Sequence, residues 1–245
     1  QSGKTQPGNY RPVRLAAMLS PVVIVPGHFL EWRAYLPLAS RLRAEPFNRQ
    51  VWIAPIEPYH WWQSSGANFR PVIDVMARCI EDVAEQTGMS VTVIGHSAGG
   101  RLTRKFLGED DYCGRRYAGH RFVNTLVCLG TPHHSSAPAS SVSTRWANEH
   151  YPGAFFAPKI RYVSVISRYI KGNRHGTLAE RTAYALYESL LGAPGDVWGD
   201  GIVPEPCMML EGSEVIQLEG VYHLPVPLVT WYDAPHILPQ WAQSI

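Results

Sequence analysis

The stretch Val91-Thr92-Val93-Ile94-Gly95-His96-Ser97-Ala98-Gly99-Gly100 decides the fold. A β-branched apolar run leads into a G-x-S-x-G turn, and a helical pattern follows through Leu102 and Phe106. A strand–turn–helix elbow of this kind lifts the Ser97 hydroxyl clear of a sheet in a strained conformation. Gly95 and Gly99 suit its flanks, because a Cβ at either would collide with the crossing strand and helix. The helix N-terminus beneath Ser97 carries partial positive charge, which suits a developing oxyanion. Ser97 is the candidate nucleophile. A chance G-x-S-x-G in a Gly-rich loop would lack the flanking strand and helix.

Outward from the elbow, apolar runs alternate with helical stripes. Val22-Val23-Ile24-Val25 reads as a buried strand ending at Pro26-Gly27, and Val51-Trp52-Ile53 as a short second one. Tyr35, Leu38, Ala39 and Leu42 share one helical face. Pro71 opens a stronger helix, with Val72, Val75, Met76, Cys79, Ile80 and Val83 on one side and Gly88 as its stop. Further strands are expected over Thr125–Leu129, Arg161–Ile166 and Glu214–Leu218. Such alternation predicts a mostly parallel sheet with helices on both faces, in the α/β class. The chain reads as a single domain over residues 1–245, with a loose polar arm at 1–12. Irregular patterning over Tyr59–Arg70 and His133–Lys159 points to a small cap or lid, placed at 133–160.

Composition sets the limits. At 245 residues the chain can bury one sizeable core. A net charge of +2 gives no reason to expect a nucleic-acid partner. The apolar uncharged stretch LAAMLSPVVIVPGHFL between Arg14 and Glu31 falls short of the ~18 residues a spanning helix needs and is broken by Pro21, Pro26 and Gly27. Lys4, Arg11 and Arg14 precede it as in a signal peptide, but no A-x-A-like cleavage site follows. The chain begins at Gln1 rather than Met, which reads as a trimmed or mature form. Cys79, Cys113, Cys128 and Cys207 show no C-x-x-C spacing and read as free thiols of a reducing compartment, with a Cys113–Cys207 bridge as the alternative.

Four stretches in order, V-V-I-V-P-G-H-F, V-I-G-H-S-A-G-G, L-G-T-P-H-H-S and W-G-D-G-I-V-P followed by G-V-Y-H, resemble α/β-hydrolases of the lipase/esterase kind. The likeness runs from Pro21 to the C-terminus. It implies the α/β-hydrolase fold, ester hydrolysis through a Ser-His-Asp triad, and no metal or other cofactor. More narrowly, the chain is similar to lipase-like hydrolases of cyanobacteria and plastids that pair D-V-W-G-D-G-x-V-P with G-V-Y-H-x-P. That likeness and the cysteines place it in the cytoplasm or a plastid-stroma-like compartment.

The remaining site residues follow from the roles the chemistry requires. Of two competing acids, Asp200 matches the D-G-x-V-P turn of lipases, and Asp196 is the alternative. His223, just past the strand at Val215–Leu218, is the expected base, with His236 as the other candidate. By resemblance, the oxyanion hole takes the backbone N–H of Ala98 and that of His28, with Phe29 as second choice for the latter. His133 and His134 are adjacent and cannot easily converge on one ion, so no metal is expected. Arg101, Arg104 and Lys105 could mark an anionic site or form a solvated helix face; the latter is the simpler reading. Phe29, Trp61, Trp62, His96, His133, Phe155 and Phe156 are expected to line an apolar substrate pocket.

The sequence thus predicts a serine hydrolase acting on an apolar or lipid-like carboxylic ester. Its partner is a small-molecule or lipid ester, met at a lipid surface where the substrate is one. An acyltransferase using the same acyl-enzyme, and a non-catalytic ligand-binding domain of the same fold, are the competing readings. The latter predicts a missing triad member, and none is missing.

Overall fold

The computed structural model describes residues 19–64, 68–243 and 245; the arm expected at 1–12 lies outside them. A six-stranded parallel sheet forms the centre, in the order β2-β1-β3-β4-β5-β8. Its strands are β1 (Val22–Val25), β2 (Val51–Ile53), β3 (Val91–His96), β4 (Val123–Leu129), β5 (Arg161–Arg168) and β8 (Glu214–Glu219). A small antiparallel pair, β6 (Ile170–Lys171) with β7 (Trp198–Gly199), sits apart. The helices are α1 (Leu36–Arg43), α2 (Pro58–Trp62), α3 (Arg70–Thr87), α4 (Ala98–Leu107), α5 (Pro138–His150), α6 (Leu178–Leu191), α7 (Glu205–Met208) and α8 (Leu238–Ala242).

Strand side chains alternate between two cores, as a pleated sheet requires. Val23, Val25, Val91, Val93, Leu126 and Cys128 pack with α3 and α4 on one face. Val22, Ile24, Ile94, Val127, Leu129, Val163 and Val165 pack with α1 and α8 on the other. The buried strands therefore read as nearly continuous apolar runs. None of the described helices is long and apolar enough to cross a membrane. All four cysteines are free, and exposed Cys113 is not joined to buried Cys207.

Because the central strands are parallel, the loops after β1, β3, β4, β5 and β8 leave from one edge, and the site assembles there. Residues 133–160 carry α5, which packs on α4 and returns the chain to the opposite edge, where β5 begins. Phe155 and Phe156 belong to that return. Phe156 stacks on His120 at 5.0 Å, and His120 Nδ1 bonds the carbonyl of Leu107, the last residue of α4. Ten residues of helix, about 15 Å, separate this cluster from Ser97. The expectation that Phe155 and Phe156 line the substrate pocket is corrected accordingly. Phe156 packs between the foot of α4 and the entry to β5, and half-exposed Phe155 lies against it at 5.0 Å.

The turn from β3 into α4 is tight enough to forbid a side chain at Gly99, where a Cβ would fall on the carbonyl oxygens of Val25 and Pro26. Gly99→Ala is expected to cost about 1–3 kcal/mol, read as a lower urea midpoint at unchanged slope. A neutral result would mean that β1 can move away from the elbow.

Candidate active site

Ser97 caps α4 with φ 52 and ψ −123, a region L-residues rarely occupy. Its N–H donates to the Leu129 carbonyl at 2.8 Å, which ties the turn to β4. Turned this way, Ser97 Oγ stands 3.0 Å from His223 Nε2. His223 Nδ1 lies 2.6 Å from Asp200 Oδ2. Asp200 is fully buried, and its Oδ1 accepts the N–H groups of Ile202 and Val203 at 3.1 and 2.7 Å. A carboxylate beside Nδ1 keeps the proton on that nitrogen, so the Nε2 lone pair faces the serine hydroxyl. The His223 N–H also donates to the Asp200 carbonyl at 2.9 Å, locking the two loops together. The other candidates lie apart: Asp196 and His236 are both exposed, and neither pairs with this chain.

The loop after β1 presses on the elbow. A Cβ at Gly27 would stand 3.1 Å from Ser97 Cβ and 2.8 Å from His96 Nδ1. Among the described residues no acceptor meets the backbone N–H of His28 or of Ala98. Beside His28, Trp61 is buried with ring centroids 4.9 Å apart, and Phe29 is exposed at 4.3 Å. Trp62 is 72% exposed, on the solvent side of α2 rather than lining a pocket.

His96 is fully buried behind the site, which corrects its expected place in the pocket. Its Nδ1 is 2.7 Å from Tyr35 Oη, and its Nε2 is 2.9 Å from the His223 carbonyl oxygen. Burial raises the Tyr35 pKa, so the phenol keeps its proton and donates it to Nδ1. His96 must then carry its own proton on Nε2 and donate to His223. Burial, with His223 close by, holds the His96 pKa well below the ordinary histidine value, consistent with a neutral ring. Tyr35 Oη also accepts the Gly27 N–H at 2.8 Å, and Trp231 Nε1 donates to the same His223 carbonyl at 3.0 Å. One buried chain thus joins the β1 loop to the base. Nothing in the sequence gives Tyr35 this role, because a tyrosine on a helical stripe reads as core.

His133 is also fully buried, with both ring nitrogens lacking a hydrogen-bond partner, and its pKa is held well below normal by burial, Arg104, His134 and Arg101. A second correction concerns α4. Arg101, Arg104 and Lys105 are 5%, 2% and 1% exposed, so they do not form a solvated face. They point into the space shared with Phe69, Tyr112 and α5. Lys105 Nζ donates to Tyr112 Oη and Ser143 Oγ at 3.0 and 2.8 Å and lies 4.2 Å from the Tyr112 ring centroid. Burial, then the charges of Arg101 and Arg104, push its pKa down to about 7. No group of His, Cys, Asp and Glu among the described residues is arranged to hold a metal.

The sheet order and the strand–Ser97–helix elbow are those of the α/β-hydrolase fold. A family model described as a PGAP1-like alpha/beta domain matches residues 68–150, the segment from the start of α3 through the elbow to the end of α5. No curated protein matches the chain. Among solved structures it is similar to the mature lipase BlEst2 of Bacillus licheniformis, at 14% identity over 83% of this chain and 84% of that one, with a TM-score of 0.58. The lin2722 product of Listeria innocua gives 14% identity, 90% and 91% coverage and a TM-score of 0.56. Phospholipase PlaB of Legionella pneumophila gives 12% identity, 87% and 55% coverage and 0.54. At such identities the shared property is the fold.

Tyr35→Phe would leave the Gly27 N–H without an acceptor and His96 Nδ1 without a donor, both buried. The expected loss is about 2 kcal/mol in urea unfolding, at a site where the ring itself still fits. An unchanged midpoint would mean that the phenol does not hold these two elements.

Proposed function

We propose that the protein is a serine esterase acting on apolar or lipid-like carboxylic esters, with Ser97 as nucleophile, His223 as base and Asp200 as its orienting acid. The observation that carries this reading is the unbroken chain Asp200–His223–Ser97, at 2.6 and 3.0 Å. His223 Nε2 takes the hydroxyl proton as Ser97 Oγ attacks the ester carbonyl. Asp200 offsets the charge of the resulting imidazolium. The N–H groups of His28 and Ala98 receive the oxyanion, and His223 then returns its proton to the departing alcohol. Water, deprotonated by the same nitrogen, releases the acid and frees Ser97.

An apolar substrate is favoured by exposed apolar side chains on the edge of the sheet that carries the site. Phe29, Trp62, Val226 and Leu228 are exposed on loops and a short helix that follow strands at the functional edge. Exposed apolar side chains on the edge that carries the site suit a lipid-like ligand or a lipid surface. A lipase and a phospholipase among the similar structures point the same way. Transfer of the acyl group to an alcohol instead of water would use the same intermediate, and product analysis separates the two.

The test is hydrolysis of p-nitrophenyl esters from acetate to palmitate. The wild type should turn over the series, with affinity gained at about 0.8 kcal/mol per buried CH₂ until the acyl site is full. Ser97→Ala and Asp200→Asn should each lower kcat by about 10³-fold or more while remaining folded. Turnover that survives in Ser97→Ala would overturn the mechanism.

A further inference from the structure

Arg101 is one helical turn past Ser97, and its side chain is 95% removed from solvent with nothing to hold it. Its Nε is enclosed without a hydrogen-bond partner, and no described residue makes a hydrogen bond or ion pair with the rest of the guanidinium. The chain has 20 Asp and Glu residues, all of them among the described positions. None forms an ion pair with Arg101, Arg104 or Lys105. Lys105 and Arg104 have neutral partners: Tyr112 and Ser143 for the first, and the Tyr151 carbonyl at 2.7 Å for one nitrogen of the second. Arg104 Nη1 is enclosed without a partner, as are both ring nitrogens of His133. An uncompensated buried charge is strongly unfavourable, so the unpartnered Arg101 guanidinium, with the partly satisfied Arg104 beside it, calls for an anion.

Position says which anion. Arg101 is near enough to His28, whose N–H is the proposed oxyanion donor, and to His133 on the loop after β4 for its charge to act on both rings. Arg101 also lies four residues past Ser97 on α4, so the unsatisfied guanidinium springs from the same face of the helix that carries the nucleophile at its start. Its planar fork matches an oxygen pair on phosphate, sulfate or carboxylate, which a lone lysine would hold less specifically.

We propose that the ester substrate carries an oxyanionic group, phosphate, sulfate or carboxylate, which seats on Arg101 beside the scissile carbonyl. This deepens the esterase reading and rests on it for the word substrate. Lys105 and Arg104 stand behind Arg101 and add positive potential. Neutral triacylglycerols and uncharged sugar lipids would leave the guanidinium empty-handed, so they are disfavoured relative to acidic amphiphiles.

Matched pairs of esters test this. p-Nitrophenyl hexanoate is compared with p-nitrophenyl hydrogen adipate, which places charge on the acyl end. 1,2-Dihexanoylglycerol is compared with its 3-phosphate and 3-sulfate, which place it on the alcohol side. The wild type is expected to favour the charged member of at least one series by tenfold or more in kcat/KM. Arg101→Gln should bring that ratio to about one, and Arg101→Lys should keep a few-fold preference. Equal turnover of every pair by the wild type, or a ratio unchanged in Arg101→Gln, would overturn the proposal.

A second readout does not need turnover. Inorganic phosphate at 20 mM, against chloride at equal ionic strength, should raise the wild-type Tm and leave that of Arg101→Met unmoved. Relief of an unpaired charge should also make Arg101→Met melt about 3 °C or more above the wild type. A lower Tm in Arg101→Met would give Arg101 a structural role and sink the idea. Phosphate stabilisation without any preference for charged esters would make this a site for a free anion, which also contradicts it. Absence of all ester turnover, with phosphate stabilisation lost in Arg101→Met, would instead count against the esterase reading alone.

Discussion

Ser97 holds a backbone conformation that it would leave if its neighbours allowed. A non-glycine residue at φ 52 and ψ −123 costs about 1–3 kcal/mol, and persists only where the surroundings over-determine it. Here β3 is clamped between β1 and β4, the Ser97 N–H is held by Leu129, and Gly99 lets α4 start against the β1 carbonyls. Relaxing that turn would swing Oγ away from His223. The parallel sheet is what makes the turn stiff, and its common edge is what brings the other loops to it.

His223 is restrained at both ends of its residue. Its ring is held by Asp200, its N–H by the Asp200 carbonyl, and its own carbonyl by His96 and Trp231. The link through His96 and Tyr35 to Gly27 means that the base and the β1 loop share a support. A neutral His96 suits this work, because each ring nitrogen has one complementary partner and no charge is added beside His223. The cationic side of α4 is built differently. Hydroxyls, rings and a carbonyl partly satisfy Lys105 and Arg104, while the Nε of Arg101 is enclosed without a partner.

Much of the fold was legible because it rests on local signals. The apolar runs at Val22–Val25 and Val51–Ile53 match β1 and β2 residue for residue, and the helix from Pro71 to Gly88 appears as α3, ended by Gly88 at φ 64. The α/β-hydrolase architecture expected from the elbow is the one observed. Helix α6 is absent from the sequence expectations although Thr177 and Glu180 form a capping box, a signal that sequence alone carries. Asp200, His223 and Ser97 stood out because turns with fixed chemistry surround them. Burial was the property that sequence concealed. His96, Arg101 and Lys105 are polar by type, and only the packing of α4 against α5 and of Tyr35 against β3 encloses them. Phe155 and Phe156 misled for the converse reason: aromatic residues in an irregular stretch say nothing about which edge of the sheet they reach.

The most direct test of the central claim is covalent. Incubation with an alkyl fluorophosphonate, followed by intact mass and peptide mapping, reads the reactivity of Ser97 without assuming a substrate. Attack by Ser97 Oγ on phosphorus expels fluoride and leaves a stable phosphonate ester. One adduct per chain is expected, mapped to Ser97, with its rate falling steeply in His223→Ala. No adduct on the folded protein, an adduct on another residue, or labelling of Ser97 that ignores His223 would contradict it.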